Sequence, residues 1–317
     1  MAYLRLLVAQ VAIGAAAIFA RFALTGTGPL AASALRLAIA AAVVAGFSAV
    51  TGRLRRIGRR AETLLSLAGV LLAIHFAAWL TSLQYISIGV STLLVCTSPI
   101  WTELYAWAIQ RRPIRRSFVI ALVLGALGLA LVVTRRDVPA PIAGHALAGD
   151  MLALLGGMAL AGYLLIVRGT RASVVAYRVR IVEIVTRTYS WAFAALAIAA
   201  LFWHESPPPL GDGVAWFGIL AMALVSQLIG HTALNAALTD FSPSTVAMST
   251  LLEPVAAAVL AALIFHESAT PVTALGGLCI LAAIGFAATQ TPEVPPTTYA
   301  DSFSGEGTSA PGVMKQR

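Results

Sequence analysis

Charged side chains are scarce in this sequence, since only 11% of its 317 residues are Asp, Glu, Lys or Arg. A soluble domain carries roughly 25% charged residues, which keep its surface in contact with water. Hydrophobic residues make up 59% of the chain, and the mean hydropathy is +0.88. This composition excludes an ordinary soluble protein and favours an integral membrane protein.

Cysteines and catalytic motifs are also few. Cys96 and Cys279 lie in separate apolar stretches, which excludes a disulfide framework and a cysteine-based metal site. The His-Glu pairs at residues 204–205 and 266–267 resemble the start of a zinc-binding HExxH motif, but neither is followed by the second histidine. There is no GxSxG nucleophile elbow and no GKS or GKT phosphate-binding loop. We therefore expect no enzyme, no ATP-driven pump, no cofactor and no metal.

The net charge of +8 is compatible with binding to nucleic acid. The basic residues, however, lie in short segments between apolar runs rather than along one solvated face, which is typical of topology determinants in membrane proteins. We therefore expect a lipid bilayer and a small-molecule substrate as partners, and no nucleic acid. A homodimer is left open by the sequence.

Ten apolar runs, each about 18–23 residues long, are sufficient to cross a hydrocarbon core of roughly 30 Å. The first is interpreted as a retained helix rather than a signal peptide, because it is long and further spans follow closely. The last segment, 291–317, is rich in Pro, Gly, Ser and Thr and is predicted to be a disordered tail. The predicted helices cover residues 4–24, 30–50, 64–84, 88–109, 117–134, 148–167, 181–203, 213–234, 244–265 and 271–289.

The basic residues predict the orientation of these spans. With the N-terminus inside, sixteen Lys and Arg residues fall on the cytoplasmic side and three on the other side. Because Lys and Arg accumulate in cytoplasmic loops, we predict a multi-pass protein of the plasma membrane with both termini in the cytoplasm. The same split supports an even number of helices.

An internal repeat emerges when the sequence is shifted by 155 residues. Arg36 and Arg187 do not align at this shift, but they match by position, early in the second and in the seventh predicted helix. Each copy holds five helices, an odd number, so the predicted repeats 1–136 and 146–290 have opposite orientations in the membrane. Inverted repeats recur in secondary transporters, with the substrate near the midplane between them. The identical pairs are Leu83 and Leu238, Ser87 and Ser242, Pro99 and Pro254, and Ala106 and Ala261.

Three segments resemble the EamA-type branch of the drug/metabolite transporter (DMT) superfamily. Residues 252–255, Leu-Glu-Pro-Val, begin an alanine-rich stretch that resembles the ninth helix of that family. Residues 83–99 resemble its third-to-fourth helix region, and residues 35–37, Leu-Arg-Leu, resemble its second helix. The resemblance extends over about residues 4–289. It implies an all-α integral membrane carrier with ten transmembrane helices in two inverted five-helix repeats.

The resemblance also implies a function, with two departures from the family pattern. Members usually export amino acids or other metabolites, and helices three, four, eight and nine line their cavity. The family usually carries Gly-Glu at the ends of helices four and nine. Here Gln110-Arg111 ends helix four, and His266 replaces the glycine of helix nine.

Polar residues inside apolar runs are candidates for the substrate site, because unpaired polar groups in hydrocarbon cost several kcal/mol. In helix eight, Gln227, His231 and Asn235 recur every four residues and are predicted to share one face. His75 and Trp79 have the same spacing in helix three, and Trp101 and Glu103 are further candidates in helix four. The alternative for these groups is hydrogen bonding between helices, worth about 1 kcal/mol per bond.

Glu253 is predicted about 13 Å into its helix, close to the midplane. Desolvation disfavours a charged carboxylate there, so Glu253 is expected to cycle a proton or to accept a hydrogen bond or ammonium group from substrate. The alternative is structural, because Pro254 lacks an amide hydrogen and kinks a helix, as Pro99 does in the first repeat. Arg36 and Arg187 are interpreted as structural charges, with Glu183 four residues before Arg187 in the favourable order for an ion pair.

These features together predict a secondary transporter. We expect it to export small metabolites, such as amino acids, by alternating access, driven by a gradient of protons or of substrate. The first alternative is an intramembrane enzyme that uses His75, His231 and Glu253 as acid–base groups. The second is a membrane scaffold or sensor that transports nothing.

Overall fold

The computed structural model describes residues 2–52, 56–110, 116–134, 145–172, 180–241, 246, 249–250, 252–266 and 270–289, and every regular element within them is helical. The predicted tail 291–317 lies outside these residues. The helices are α1 (Ala2–Gly14), α2 (Ala16–Ala23), α3 (Pro29–Val50), α4 (Arg59–Ser82), α5 (Ile88–Val95), α6 (Ser98–Gln110), α7 (Arg116–Thr134), α8 (Ala146–Ala172), α9 (Ile181–Phe202), α10 (Gly213–Ala221), the π-helical segment Met222–His231, α11 (Thr232–Ala237), α12 (Leu252–Phe265) and α13 (Pro271–Thr289).

Six helical stretches in the described part of the chain are long and apolar enough to cross a membrane. The predicted all-helical, multi-pass membrane protein is therefore confirmed at this level. The remaining predicted spans correspond to α5 with α6, α7, α12 and α13. The six stretches are Leu6–Ala23, Pro29–Val50, Arg59–Ser82, Ala146–Thr170, Ile181–Phe202 and Gly213–Ala237.

Two spans predicted as single helices are interrupted. The first divides after Gly14 into α1 and α2, and the fourth divides at Cys96 and Thr97 into α5 and α6. In the eighth span the helix continues to Ala237, but its ten residues Met222–His231 are π-helical. π-Helical turns are rare and frequently occur at functional sites.

The two repeat-related prolines explain part of this pattern. Pro99 lies in the first turn of α6, and Pro254 lies in the first turn of α12. A proline fits there because first-turn residues have no intrahelical partner for their N–H. The residue before a proline also disfavours the α conformation, which favours an interruption just upstream. Within the fourth predicted span, a new helix therefore starts beside Pro99.

The helices pack so that each half of the chain contacts the other. Helix α4 lies against α8 and α9, and α3 lies against α9 and the π-helical segment. Helices α1 and α2 pack along α10, the π-helical segment and α11, while α7 pairs with α13 and α5 with α12. The approach of α10 to α2 requires Gly218, since an added Cβ would lie 2.4 Å from the backbone nitrogen of Ala23.

Two histidines adopt the left-handed backbone conformation just after a helix ends. His204 follows α9 with φ 57°, and His266 follows α12 with φ 56°. Glycine is the usual residue at this position because it has no Cβ to clash. Histidine is among the few other residues that are enriched there. The departure at His266 therefore changes the residue while the backbone keeps the conformation that glycine favours.

Arg187 is a structural charge, but its carboxylate partner differs from the predicted one. Arg187 Nε donates to Glu62 Oε2 at 2.7 Å, which joins α9 to α4. The carboxylate of Glu183 instead accepts the backbone N–H of Arg180 at 2.7 Å and completes the first turn of α9. The predicted ion pair between Glu183 and Arg187 is therefore wrong, because Glu183 caps its own helix.

Candidate functional site

A small buried cavity lies where the interruption between α1 and α2 meets α4, α5, α8, the π-helical segment and the start of α12. Its volume is about 30 Å³, enough for roughly one or two water molecules. A bound metabolite needs several hundred Å³, so the cavity is closed in this conformation. Its lining residues are Ile13, Gly14, Ala16, Ala17, His75, Phe76, Trp79, Thr92, Val95, Leu160, His231, Leu234, Thr250 and Glu253.

Three polar groups face this cavity without a hydrogen-bond partner among the described residues. Thr92 Oγ1 and His231 Nδ1 are fully enclosed and unpaired. The side chain of Glu253 is buried, and no hydrogen bond or ion pair of its carboxyl occurs in the described part of the chain. Buried polar groups in folded proteins are satisfied in about 90% of cases or more. The two enclosed atoms, with the buried carboxyl of Glu253 beside them, make this cavity a candidate site for a polar ligand.

Aromatic rings form one wall of the cavity. His75 and Trp79 lie parallel, with centroids 6.2 Å apart and an interplanar angle of 5°. Phe76 contacts His231 edge-on at 5.2 Å, and His75 lies 6.3 Å from His231. These flat surfaces suit the apolar part of a small solute. We call the rings of His75, Phe76, Trp79 and His231 the aromatic wall.

The imidazole of His75 has an assigned direction within this wall. His75 Nδ1 lies 3.0 Å from the carbonyl oxygen of Gly156 on α8. Because a carbonyl oxygen only accepts, Nδ1 carries the proton and Nε2 of the neutral ring is an acceptor. His75 therefore offers the cavity an acceptor, while its donor fixes the ring against α8.

A buried guanidinium lies behind the aromatic wall. The side chain of Arg36 is fully buried, and its Cζ lies 4.1 Å from the centroid of the Phe76 ring. One terminal nitrogen donates to Gln227 Oε1 at 2.9 Å, and the other lies 3.8 Å from the sulfur of Met222. Phe76 is thus shared between the cavity and Arg36.

The helix interruptions beside the cavity are bonded to one another. The thiol of Cys96 donates to the carbonyl oxygen of Thr250 at 3.3 Å, which joins the end of α5 to the segment that precedes α12. Gln10 Nε2 of α1 donates to Ser249 Oγ at 2.7 Å. Irregular backbone at membrane depth is tolerated only where protein or a water-filled cavity satisfies it. The cavity and these bonds meet that condition.

The three polar residues predicted in the eighth span, Gly213–Ala237, have different surroundings. Only His231 lines the cavity, although Gln227 and Asn235 are also buried. Gln227 accepts from Arg36, and Asn235 Oδ1 accepts from the hydroxyl of Tyr163 at 2.9 Å. The common spacing of four therefore places all three side chains in the protein interior, with His231 alone of the three at this cavity.

The fourth predicted span, α5 with α6, also places its candidate residues differently from the prediction. Trp101 Nε1 donates to Thr97 Oγ1 at 3.1 Å, so it packs against its own helix start. Trp101, Glu103 and Pro99 do not line the cavity, whereas Thr92 does. Pro254 is described only through its backbone, in the first turn of α12. Phe76 and Thr92 were missed by sequence reasoning, because a phenylalanine or threonine in an apolar run gives no signal.

A larger groove of about 640 Å³ lies between α3, α9 and the π-helical segment. Its lining is apolar apart from Arg180 and Thr232, and it holds none of the predicted site residues. Thr92 Oγ1 and His231 Nδ1, which have no hydrogen-bond partner among the described residues, and the carboxyl of Glu253 belong to the smaller cavity instead. We therefore take the smaller cavity as the candidate site.

Comparisons with known proteins agree with this architecture. The model of the EamA-like transporter family matches residues 1–134 and 147–289. The chain is similar to the threonine/homoserine exporter RhtA of Escherichia coli (strain K12), with 28% identity over 284 residues that cover 88% of this chain and 89% of the relative. The RhtA proteins of Escherichia coli O6:H1 (strain CFT073) and O157:H7 match to the same extent.

A solved crystal structure of another protein shares the fold, with a TM-score of 0.62 and 14% sequence identity. The similarity covers 90% of this chain and 96% of that chain. The resemblance stated from the sequence is confirmed, because the family model spans most of the residues. The chain belongs to the EamA-like transporter family.

Proposed function

We propose that this transporter exports small metabolites of the amino-acid class by alternating access, with the closed cavity as its substrate site. The observation that carries this proposal is a pair of enclosed polar atoms without a partner among the described residues, Thr92 Oγ1 and His231 Nδ1, beside the buried carboxyl of Glu253 in one cavity. The similarity to an exporter of threonine and homoserine supports the choice of substrate class. Both solutes are small and polar, as the mixed lining of the cavity requires.

The architecture that we propose is ten transmembrane helices in two inverted five-helix repeats, residues 1–136 and 146–290. The packing supports it, because exchanging the two halves preserves most helix pairs. The contact of α4 with α8 corresponds to that of α1 and α2 with α10 and the π-helical segment, and α3 with α9, α5 with α12 and α7 with α13 each pair with their counterpart. The two stretches matched by the family fit the same division.

The closed cavity supports alternating access. Because about 30 Å³ cannot hold an amino acid, the helices around the site must separate on one side and then on the other. The interruptions at Ala15 and at Cys96 provide places where such movement needs little change inside a helix. Rocking of one repeat against the other would open the cavity to each face in turn.

Individual roles follow from the contacts. The parallel rings of His75 and Trp79 would hold the apolar part of the solute. His231, whose Nδ1 lacks a protein partner, would bind a hydroxyl or carboxylate group. The carboxyl of Glu253 would carry a proton through the cycle. We assign Gln227, Asn235, Trp101 and Glu103 supporting positions around the site rather than contacts with the solute.

The membrane orientation is part of the same proposal. The excess of Lys and Arg in alternate loops supports cytoplasmic termini and a location in the plasma membrane. No ATP-binding motif occurs in the sequence, so a proton or substrate gradient would drive export.

The test is a flux measurement with purified protein in liposomes loaded with radiolabelled threonine or homoserine. We expect efflux above that of protein-free liposomes, and a loss of about tenfold or more in His231→Leu. The matched control is His145→Leu, because His145 is exposed before α8 and lies outside the cavity. If the wild type transports neither threonine nor homoserine, the amino-acid proposal is refuted. Turnover of a lipid or precursor by the purified protein would favour the enzyme alternative.

A further inference from the structure

Arg36 is a buried cation with no carboxylate partner in the described part of the chain. Its contacts are the Phe76 ring, the amide oxygen of Gln227 and the sulfur of Met222. Arg36 Nε has no hydrogen-bond partner. Arginine can donate five hydrogen bonds, so the guanidinium keeps free donor capacity while it is completely shielded from solvent.

Two other arginines of the described residues have strong acceptors. Arg187 pairs with Glu62, and Arg168 donates to the carbonyl oxygens of Leu238 and Phe241 at the end of α11. A charged side chain inside a membrane protein is costly and usually faces a partner or a substrate pathway. Arg36 has neutral partners but no carboxylate partner among the described residues, which leaves its charge available to a substrate pathway.

The position of Arg36 fits a substrate pathway, because one aromatic ring separates it from the cavity. Phe76 lines the cavity and contacts His231 at 5.2 Å, while its ring lies 4.1 Å from Arg36 Cζ. A change in the Phe76 side chain would bring the guanidinium into contact with the cavity. Gln227 holds Arg36 at 2.9 Å and keeps it directed towards this wall.

We propose that Arg36 binds the carboxylate of the transported amino acid, and that Phe76 covers the guanidinium in the closed, empty state. This inference rests on the proposed function and adds a recognition element to it. A guanidinium matches a carboxylate in geometry and charge and forms two parallel hydrogen bonds with it. The carboxyl of Glu253, which lines the same cavity, offers a counter-charge for an ammonium group. The two side chains together suit a zwitterion.

The first test uses the wild-type protein and three solutes that differ by one group. Threonine has both charged groups, 1-amino-2-propanol lacks the carboxylate, and 3-hydroxybutyrate lacks the ammonium group. Each competes with labelled threonine for efflux from liposomes. We expect 1-amino-2-propanol to compete at least about tenfold more weakly than threonine, because it cannot pair with Arg36. Equal competition by threonine and 1-amino-2-propanol would overturn the proposal without any variant.

The second test assigns this discrimination to Arg36. In Arg36→Gln, the preference for threonine over 1-amino-2-propanol is expected to disappear, so that the two solutes compete about equally. The reason is that a neutral amide loses the ionic part of the contact with the carboxylate. The matched control is Arg187→Gln, which removes a guanidinium paired with Glu62 outside the cavity and is expected to keep the preference. An unchanged preference in Arg36→Gln would overturn the assignment.

A third measurement covers an Arg36→Gln protein that is too unstable for flux. Wild-type protein in detergent is heated with each solute, and threonine is expected to raise the unfolding temperature at lower concentration than 1-amino-2-propanol. Equal stabilisation overturns the proposal. The outcomes also separate the two claims: no threonine flux in the wild type refutes the proposed function and this inference together, whereas threonine flux without carboxylate discrimination refutes only this inference.

Discussion

The hydroxyl of Tyr163 on α8 donates a hydrogen bond to Oδ1 of Asn235 on α11, at 2.9 Å, and both side chains are fully buried. A second buried tyrosine acts nearby, since the hydroxyl of Tyr189 on α9 lies within hydrogen-bond distance of the Gln227 carbonyl oxygen and of Thr232 Oγ1. The polar side of the stretch Gly213–Ala237 is thus hydrogen-bonded to α8 and α9. Asn235 and the backbone of Gln227 hold these helices together, whereas His231 faces the cavity.

The bond between Tyr163 and Asn235 predicts a stability effect without a binding effect. Asn235→Leu leaves the Tyr163 hydroxyl without this acceptor, and Tyr163→Phe removes the donor; each is expected to cost about 1–3 kcal/mol of unfolding free energy. The KM for threonine efflux should stay within about twofold of wild type, because neither side chain lines the cavity. Denaturant titration and flux kinetics measure the two quantities. A large rise in KM for Asn235→Leu would return Asn235 to the substrate site.

Much of this fold follows from the sequence, because a membrane-spanning helix has a required length and apolar composition. His75, Trp79, His231 and Glu253 were also predicted as site residues, since polar and aromatic groups stand out in apolar runs. The structure brings these four to one cavity. Their convergence depends on the pairing of helices from the two halves, and no local sequence pattern specifies that pairing.

Other features could not be predicted because they depend on tertiary contacts. Arg36 carries the same sequence signal as Arg187, yet one meets a ring and an amide while the other meets Glu62. The interruption at Ala15 has only Gly14 as a local cause, and glycine inside a helix is a weak signal. Phe76 became part of the site only through its neighbours, Arg36 and His231.

At Gly218, α10 packs so closely on α2 that there is no space for an additional side-chain atom. A Cβ at this position would lie 2.4 Å from Ala23 N and 2.5 Å from the carbonyl oxygen of Phe19, both backbone atoms that cannot move aside cheaply. Gly218→Ala is therefore expected to lower the unfolding free energy by about 1–3 kcal/mol. Gly46→Ala is the control, since nothing lies within 4 Å of its added Cβ, about one turn before the end of α3.

The control should stabilise the protein by about 0.5–1 kcal/mol, because alanine favours a helix interior over glycine. Denaturation of both variants in the same detergent, followed by circular dichroism, gives the comparison. Equal stability of the two variants would show that α2 and α10 are less closely packed than 2.4 Å implies.

His266 predicts a stabilising substitution at the end of α12. With φ 56°, its backbone occupies a region that costs most residues about 1–2 kcal/mol and glycine nothing. Glycine loses about 0.5–1 kcal/mol through the greater freedom of the unfolded chain. His266→Gly should therefore raise the unfolding free energy by up to about 1 kcal/mol. The control His145→Gly lies outside the left-handed region and should give no gain; a loss of stability in His266→Gly contradicts the prediction.

Glu253 predicts how transport is coupled to protons. Its carboxyl lines the cavity without a partner among the described residues, and it is buried, so exchange of a proton there changes the charge of the site itself. Glu253→Gln imitates the protonated form and cannot release its proton. We expect it to lose acceleration of threonine efflux by an inward proton gradient, while exchange of threonine for threonine across the membrane continues. Liposomes with and without an imposed pH gradient distinguish the two reactions.

Glu205→Gln serves as the control, because Glu205 accepts the backbone N–H of Ala31 at the start of α3 and lies outside the cavity. If Glu253→Gln still responds to the gradient as the wild type does, the proton is carried elsewhere, and Glu253 keeps only a structural role beside Pro254.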